Sequence, residues 1–170
     1  LVQTFGPVVP VNIAQIKNVY EAVYNDHPEM FWLEGGYSCK YLPDGSCVEI
    51  TLKYNQTASN LEAAKQDFQL YALRILSGAG AMGTKTEKEQ YAHDGLMLAA
   101  DYDVNAPMNQ SAYSALVQGK SVCAGYARAY QYLLQQLGIP CYYCTGYAGE
   151  DHAWNIVKLD GNYYNVDVTW

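Results

Sequence analysis

Cys123, His152 and Asp167 are the residues whose types, order and surroundings can do chemistry together in this 170-residue chain. A cysteine attacks as its thiolate, and the positive end of a helix favours that form. Val122, Tyr126, Ala129, Tyr130, Leu133 and Leu137 mark one apolar helical face, closed by Gly138 and Pro140. With Ser121 as N-cap, Cys123 falls at the second helical position, among backbone N–H groups that have no partner within the helix. Those same groups can stabilise an oxyanion. Ala124 and Gly125 follow at once and leave room for a substrate. A thiol taken by itself also packs well as a small hydrophobe, so Cys123 needs partners before it means anything.

His152 and Asp167 supply them. Asp160-Gly161 is a tight hairpin signal between strand-like runs 153–159 and 163–168. A hairpin centred there sets Asp167 opposite Trp154 and makes His152 its diagonal neighbour on the same face. A carboxylate bound to one imidazole nitrogen fixes the tautomer and leaves the other for the thiol. Nucleophile, base and orienting acid are the three parts of a Cys-His-Asp triad. An acid set among Tyr164, Val166, Val168 and Trp170 is poorly explained as a merely solvated carboxylate.

The elements that must hold these residues can be read from periodicity. Ile13, Ile16, Val19, Tyr20 and Val23 recur at helical spacing and should stop before His27-Pro28. Runs 37–41 and 48–54 read as a hairpin about Pro43-Asp44-Gly45, which brings Cys39 and Cys47 within possible bridging range. Ser59 with Glu62 forms a capping-box pattern ahead of a helix with the stripe Leu61, Ala64, Phe68, Tyr71 and Ile75. Thr84 with Glu87 opens another helix, carrying Tyr91, Leu96 and Leu98, and a short helix is expected over 111–117. A strand over 141–147 precedes the final hairpin. Helices followed by a helix feeding an antiparallel sheet define an α+β protein.

Composition narrows the function classes. Half the residues are apolar, and ten Lys plus Arg against seventeen Asp plus Glu leave a formal charge of −7. An acidic chain without a basic run is a poor ligand for nucleic acid. Its apolar runs fall short of the roughly 18 residues needed to span a bilayer. Seventeen tyrosines suit a half-exposed polar groove. Cys141-Tyr-Tyr-Cys144 points its thiols to opposite faces of a strand, which suits neither zinc nor a redox pair. Asp101, Asp103 and Asn105 imitate a calcium loop, but Ala106 and Ala112 stand where Gly and Glu are needed. No metal and no cofactor are expected.

Four motif blocks carry a specific resemblance: Gly119-Lys120-Ser121-Val122-Cys123-Ala124-Gly125-Tyr126-Ala127; Leu137-Gly138-Ile139-Pro140; His152-Ala153-Trp154-Asn155; and Asp160-Gly161-Asn162-Tyr163-Tyr164-Asn165-Val166-Asp167-Val168-Thr169-Trp170. In order and spacing they resemble the transglutaminase-like superfamily. The resemblance implies a papain-like α+β core over 85–170, with 1–84 as a helix, hairpin and helix extension like that of bacterial secreted members. It implies Cys123 as nucleophile, His152 as general base and acid, and Asp167 as the orienter. The reaction it implies is attack on a protein or peptide carboxamide, then transfer of the acyl group to an amine or to water. Some relatives cleave peptide bonds, and some have lost activity, so a cysteine peptidase and a non-catalytic surface interaction module with a vestigial triad stay as alternatives. Tyr102 is the candidate for a side-chain oxyanion donor, and Trp154 is expected beside the imidazole. A secreted or cell-surface location is expected, as is continuation of the chain past Trp170 to complete the sheet.

Overall fold

The computed structural model describes residues 1–169. Trp170, the last residue of the fourth motif block, lies outside them. The chain separates into two compact units, Leu1–Leu61 and Glu62 onward.

In the first unit, α1 (Ile13–Asp26) begins at an Asn12–Gln15 capping box and ends at His27, where Pro28 forbids a further turn. Strands β1 (Thr4–Phe5), β2 (Leu33–Tyr41) and β3 (Cys47–Tyr54) form an antiparallel sheet in the order β1-β3-β2. Ile16, Phe31, Leu33 and Cys47 are buried, whereas Val19 and Val23 of the α1 stripe stay exposed. The expected Ser59–Glu62 capping box does not form. Asn55 starts a 3₁₀ turn over Gln56–Asn60 by accepting from the Thr57 N–H, and the Ser59 hydroxyl donates back to the Gln56 carbonyl. That back-bond removes Ser59 from competition for the helix end.

The second unit carries the long helices α2 (Leu61–Ile75), α3 (Lys85–Ala99) and α4 (Cys123–Gln136). It also holds the short parallel pair β4 (Asp101–Tyr102) and β5 (Lys120–Ser121), and the antiparallel sheet β6 (Cys141–Tyr147), β7 (Asp151–Leu159), β8 (Asn162–Val166). Helix α2 buries Ala64, Phe68 and Ala72 rather than all of its expected stripe. The Thr84–Glu87 box opens α3 as expected. Ala92 and Leu96, four apart, form its buried stripe, so Leu98 is turned to solvent instead of joining the core. The helix expected over 111–117 is present but widens into a π turn over Ser114–Gln118, ended by Gly119 in the left-handed region.

Helix α4 is the centre of this unit, buried along every residue from Ala124 to Leu134. Its face toward β7 is made of small residues: Ala124 and Ala127 pack with Ala153, and Cys123 and Tyr143 lie against them. Asn155 fastens the two elements, its amide donating to the Ala127 carbonyl at 2.9 Å and the Tyr142 carbonyl at 3.4 Å. At the other side Ser121 is fully buried. Its hydroxyl bonds the Ser114 hydroxyl at 2.6 Å and the Asn109 carbonyl at 2.8 Å. Gly125 seals this contact, since a Cβ there would lie 1.9 Å from Ser121 Oγ and 2.5 Å from the Asn109 carbonyl oxygen. Overpacking of this kind costs about 2 kcal/mol. Gly125→Ala should therefore lower the midpoint of urea unfolding by a corresponding amount. An unchanged midpoint would mean that the loop before α4 is not held by this contact.

Candidate active site

Cys123 is the first residue of α4, one place earlier than a Ser121 cap implies. Val122 is the N-cap, and the Ser121 hydroxyl is drawn inward to Ser114 and Asn109 instead of capping the helix. The consequence for the thiol is small. The first four N–H groups of a helix lack intrahelical partners, and Cys123 stays among them.

The β7–β8 hairpin has the register expected from Asp160-Gly161: Leu159 pairs with Asn162 and Asn155 with Val166. Continuing it sets Asp167 just past the end of β8, and there its Oδ2 meets His152 Nε2 at 2.6 Å. His152 is buried. Oδ1 of Asp167 accepts from the Thr169 N–H at 3.0 Å and from the Thr169 hydroxyl. Both carboxylate oxygens are therefore held. Burial pushes the Asp167 carboxyl upward, but the bonds from Thr169 and His152, with the imidazole charge, outweigh it and bring the pKa below its ordinary value. With Nε2 facing a carboxylate, Nδ1 is the nitrogen left for a thiol.

Cys123 and His152 line one cleft of about 650 Å³, together with Gln110, Tyr143, Thr145, Tyr147 and Asp151. Trp154 lies nearly parallel to the imidazole, with ring centroids 6.1 Å apart and planes 19° apart, and its indole N–H donates to Asn165 Oδ1 at 3.1 Å. Gly146 makes room for that indole: a Cβ at Gly146 would come within 2.5 Å of the ring. Tyr102, more than half exposed, stacks on Tyr126 and brings its hydroxyl within hydrogen-bonding reach of the Cys123 backbone N–H. Burial first, and the Glu150 carboxylate after it, raise the Tyr102 pKa and keep its phenol protonated, so it can donate.

Four further residues at or next to the cleft fall outside the motif blocks. Gln110 lines the cleft from an irregular loop, and no period marks it. Tyr143 and Thr145 share one face of β6, so strand alternation could have picked them out. Arg128 is buried in α4 with its guanidinium 4.1 Å over the Tyr143 ring, where a helix-face reading would expect only apolar residues. Cys141 and Cys144 are not among the residues that line the cleft. They pair opposite Val157 and Trp154, and burial raises the pKa of both. Among the described residues, no three His, Cys, Asp or Glu side chains gather to hold a metal ion. No helix among them is long and apolar enough to cross a membrane.

The cleft thus holds a thiol at a helix start and a carboxylate-held imidazole, with N–H and O–H donors at hand. Comparison with known proteins agrees in fold. The human kyphoscoliosis peptidase is 26% identical over 151 residues, matching 69% of this chain and 23% of that protein. The mouse kyphoscoliosis peptidase is 32% identical over 88 residues, 41% of this chain and 13% of the mouse protein. The chain thus spans under a quarter of the curated relatives it matches. Among solved structures, a TGase superposes on 98% of this chain and 50% of its own, with TM-score 0.55 and 13% identity. A Cytophaga hutchinsonii protein described as a candidate cysteine protease superposes on 79% of this chain and 61% of its own, with TM-score 0.52 and 18% identity. The profile of the transglutaminase-like superfamily matches residues 73–168, the span that holds α3, α4 and the β6–β8 sheet. The chain belongs to the transglutaminase-like superfamily.

Proposed function

We propose that this domain transfers acyl groups from protein or peptide amides through a thioester on Cys123. The observation that carries the proposal is the His152–Asp167 bond beside the cleft that Cys123 lines. In this reading His152 Nδ1 takes the thiol proton and the thiolate attacks the amide carbon. The developing oxyanion accepts from the Cys123 N–H and the Tyr102 hydroxyl. His152 then gives its proton to the departing nitrogen, the C–N bond breaks, and the thioester remains. An amine or water attacks in turn, with His152 removing its proton, and the thiolate leaves. Asp167 holds the ring throughout, while Trp154 flanks it.

A glutamine carboxamide and a peptide bond present the same reacting atoms, and the two reactions differ only in the nitrogen that leaves. The curated relatives are named peptidases, which supports peptide cleavage as the second reading. A substrate that is a protein or peptide fits the open, tyrosine-flanked cleft. We also propose an extracellular setting, supported by the resemblance to bacterial secreted members.

The assay is incorporation of a fluorescent primary amine into a glutamine-bearing protein, with ammonia release and peptide cleavage followed in parallel. Cys123→Ala should abolish every signal that the wild type gives. His152→Ala should lose roughly 10⁴-fold and Asp167→Ala about 10²–10⁴-fold, because such residues act as a unit. Tyr102→Phe should lose about 10²-fold in kcat. Full turnover by Cys123→Ala would defeat the assignment, and a folded wild type silent in all three readouts would favour a binding module.

The lowered Asp167 pKa also fixes a pH dependence. A carboxyl whose folded pKa lies below its unfolded value contributes stability that is complete above the unfolded pKa and fades as pH falls through the folded one. The stability gap between wild type and Asp167→Asn should thus be full at about pH 5 and narrow below about pH 4, as read by denaturant unfolding. A gap that widens on acidification would contradict the bonding described for Asp167.

A further inference from the structure

Strands β2 and β3 pair in one register from Tyr37 opposite Leu52 to Lys40 opposite Glu49, and then the register shifts so that Tyr41 faces Cys47. The shift is a β-bulge with one extra residue, Val48, on β3. It decides where Cys47 points. In the unbroken register Cys47 would oppose Leu42 and lie on the face away from Cys39. The bulge sets it opposite Tyr41, two residues from Cys39 on the same strand and therefore on the same face. The two sulfurs stand 2.8 Å apart.

The turn between them is pinned independently. Leu42 N–H bonds the Ser46 carbonyl, Gly45 N–H bonds the Leu42 carbonyl, and Ser46 N–H bonds Asp44 Oδ1 at 2.8 Å. Gly45 sits at φ +85°, a conformation glycine adopts without strain. Cys47 N–H bonds the Val11 carbonyl, and Ile13 N–H bonds the Gly45 carbonyl. The cysteines are thus presented to one another by backbone that is already fixed.

We propose that Cys39 and Cys47 are a disulfide site, closed by exchange with an external disulfide such as oxidised glutathione. In the first step one of the two thiols, deprotonated, attacks a sulfur of glutathione disulfide and one glutathione leaves as its thiol. In the second the neighbouring thiolate attacks the protein sulfur of that mixed disulfide, the new S–S bond forms, and the second glutathione leaves. Two protein S–H bonds are oxidised, one glutathione disulfide is reduced, and the two protons end on the two glutathione thiols. Cys39 is the accessible partner, being half-buried where Cys47 is buried, so exchange begins there. Burial and the neighbouring Cys47 push the Cys39 thiol up to about 11, which makes the uncatalysed first step slow.

The pairing uses two of the five cysteines. Cys141 is buried, and Cys144 lies three residues away on the same strand, on the opposite face, so those two do not join.

The test uses the full chain equilibrated with glutathione disulfide, quenched with acid, then unfolded and alkylated with excess iodoacetamide at about pH 8 and digested with trypsin without reductant. Lys17, Lys40 and Lys53 bound two peptides, 18–40 and 41–53, each with one of the cysteines. The expected product is these two peptides joined, short of two hydrogens, and separated by reductant. In Cys47→Ala, Cys39 should instead retain glutathione. Wild-type protein in which Cys39 and Cys47 both carry iodoacetamide, or in which either keeps glutathione or joins another cysteine, would overturn the proposal.

Discussion

The close approach of α4 to β7 is the constraint on which the rest of the second unit depends. Ala124, Ala127 and Ala153 meet where larger side chains would hold helix and sheet apart, and Cys123 packs against them. Asn155 sets the approach with a bond to the Ala127 carbonyl, made from the interior of β7. The Asn155 amide nitrogen donates across the contact between β7 and α4, so that bond fixes a distance as well as contributing energy. His152 lies three residues before Asn155 on the same strand, so fixing Asn155 against α4 also holds the strand that carries the imidazole.

The hairpin then adds the carboxylate. One register runs from Leu159 opposite Asn162 to Asn155 opposite Val166, and a slip of one residue would carry Asp167 to the other face. The Asp160-Gly161 turn, with both residues at positive φ, is what prevents that slip. Thr169 occupies the second carboxylate oxygen, so the acid cannot rotate away from His152 without losing two bonds. Position and tautomer of the imidazole thus follow from a two-residue turn and a threonine beyond the strand.

Much of this was legible in the sequence because it is written in local signals. Gly138 and Pro140 end α4, Asp160-Gly161 sets the hairpin register, and Thr84 with Glu87 opens α3. Each is a short-range rule whose outcome tertiary contacts leave alone. Ser121 and Ser59 show where such rules fail. Each fits a cap pattern, yet Ser121 finds buried partners at Ser114 and Asn109, and Ser59 bonds back to Gln56. A hydroxyl takes the best partner that the folded chain offers, and those partners are not neighbours in a pattern. Arg128 was illegible for a related reason: it sits on a helix buried on every side, and its stacking on Tyr143 depends on a strand that comes later. The bulge that turns Cys47 toward Cys39 adds one residue to one strand, which composition and alternation do not reveal.

The central claim is that Cys123 and His152 work as one chemical unit. The most direct test is the rate at which iodoacetamide alkylates Cys123 in the folded protein at about pH 6, mapped by mass spectrometry, in wild type and His152→Ala. Free thiols near the ordinary pKa of ~8.5 react slowly there. The account predicts that wild-type Cys123 reacts at least about tenfold faster than Cys123 of the variant, with Cys144 as an internal reference that does not change. Equal rates in the two proteins would contradict it, since the imidazole would then have no hold on the thiol.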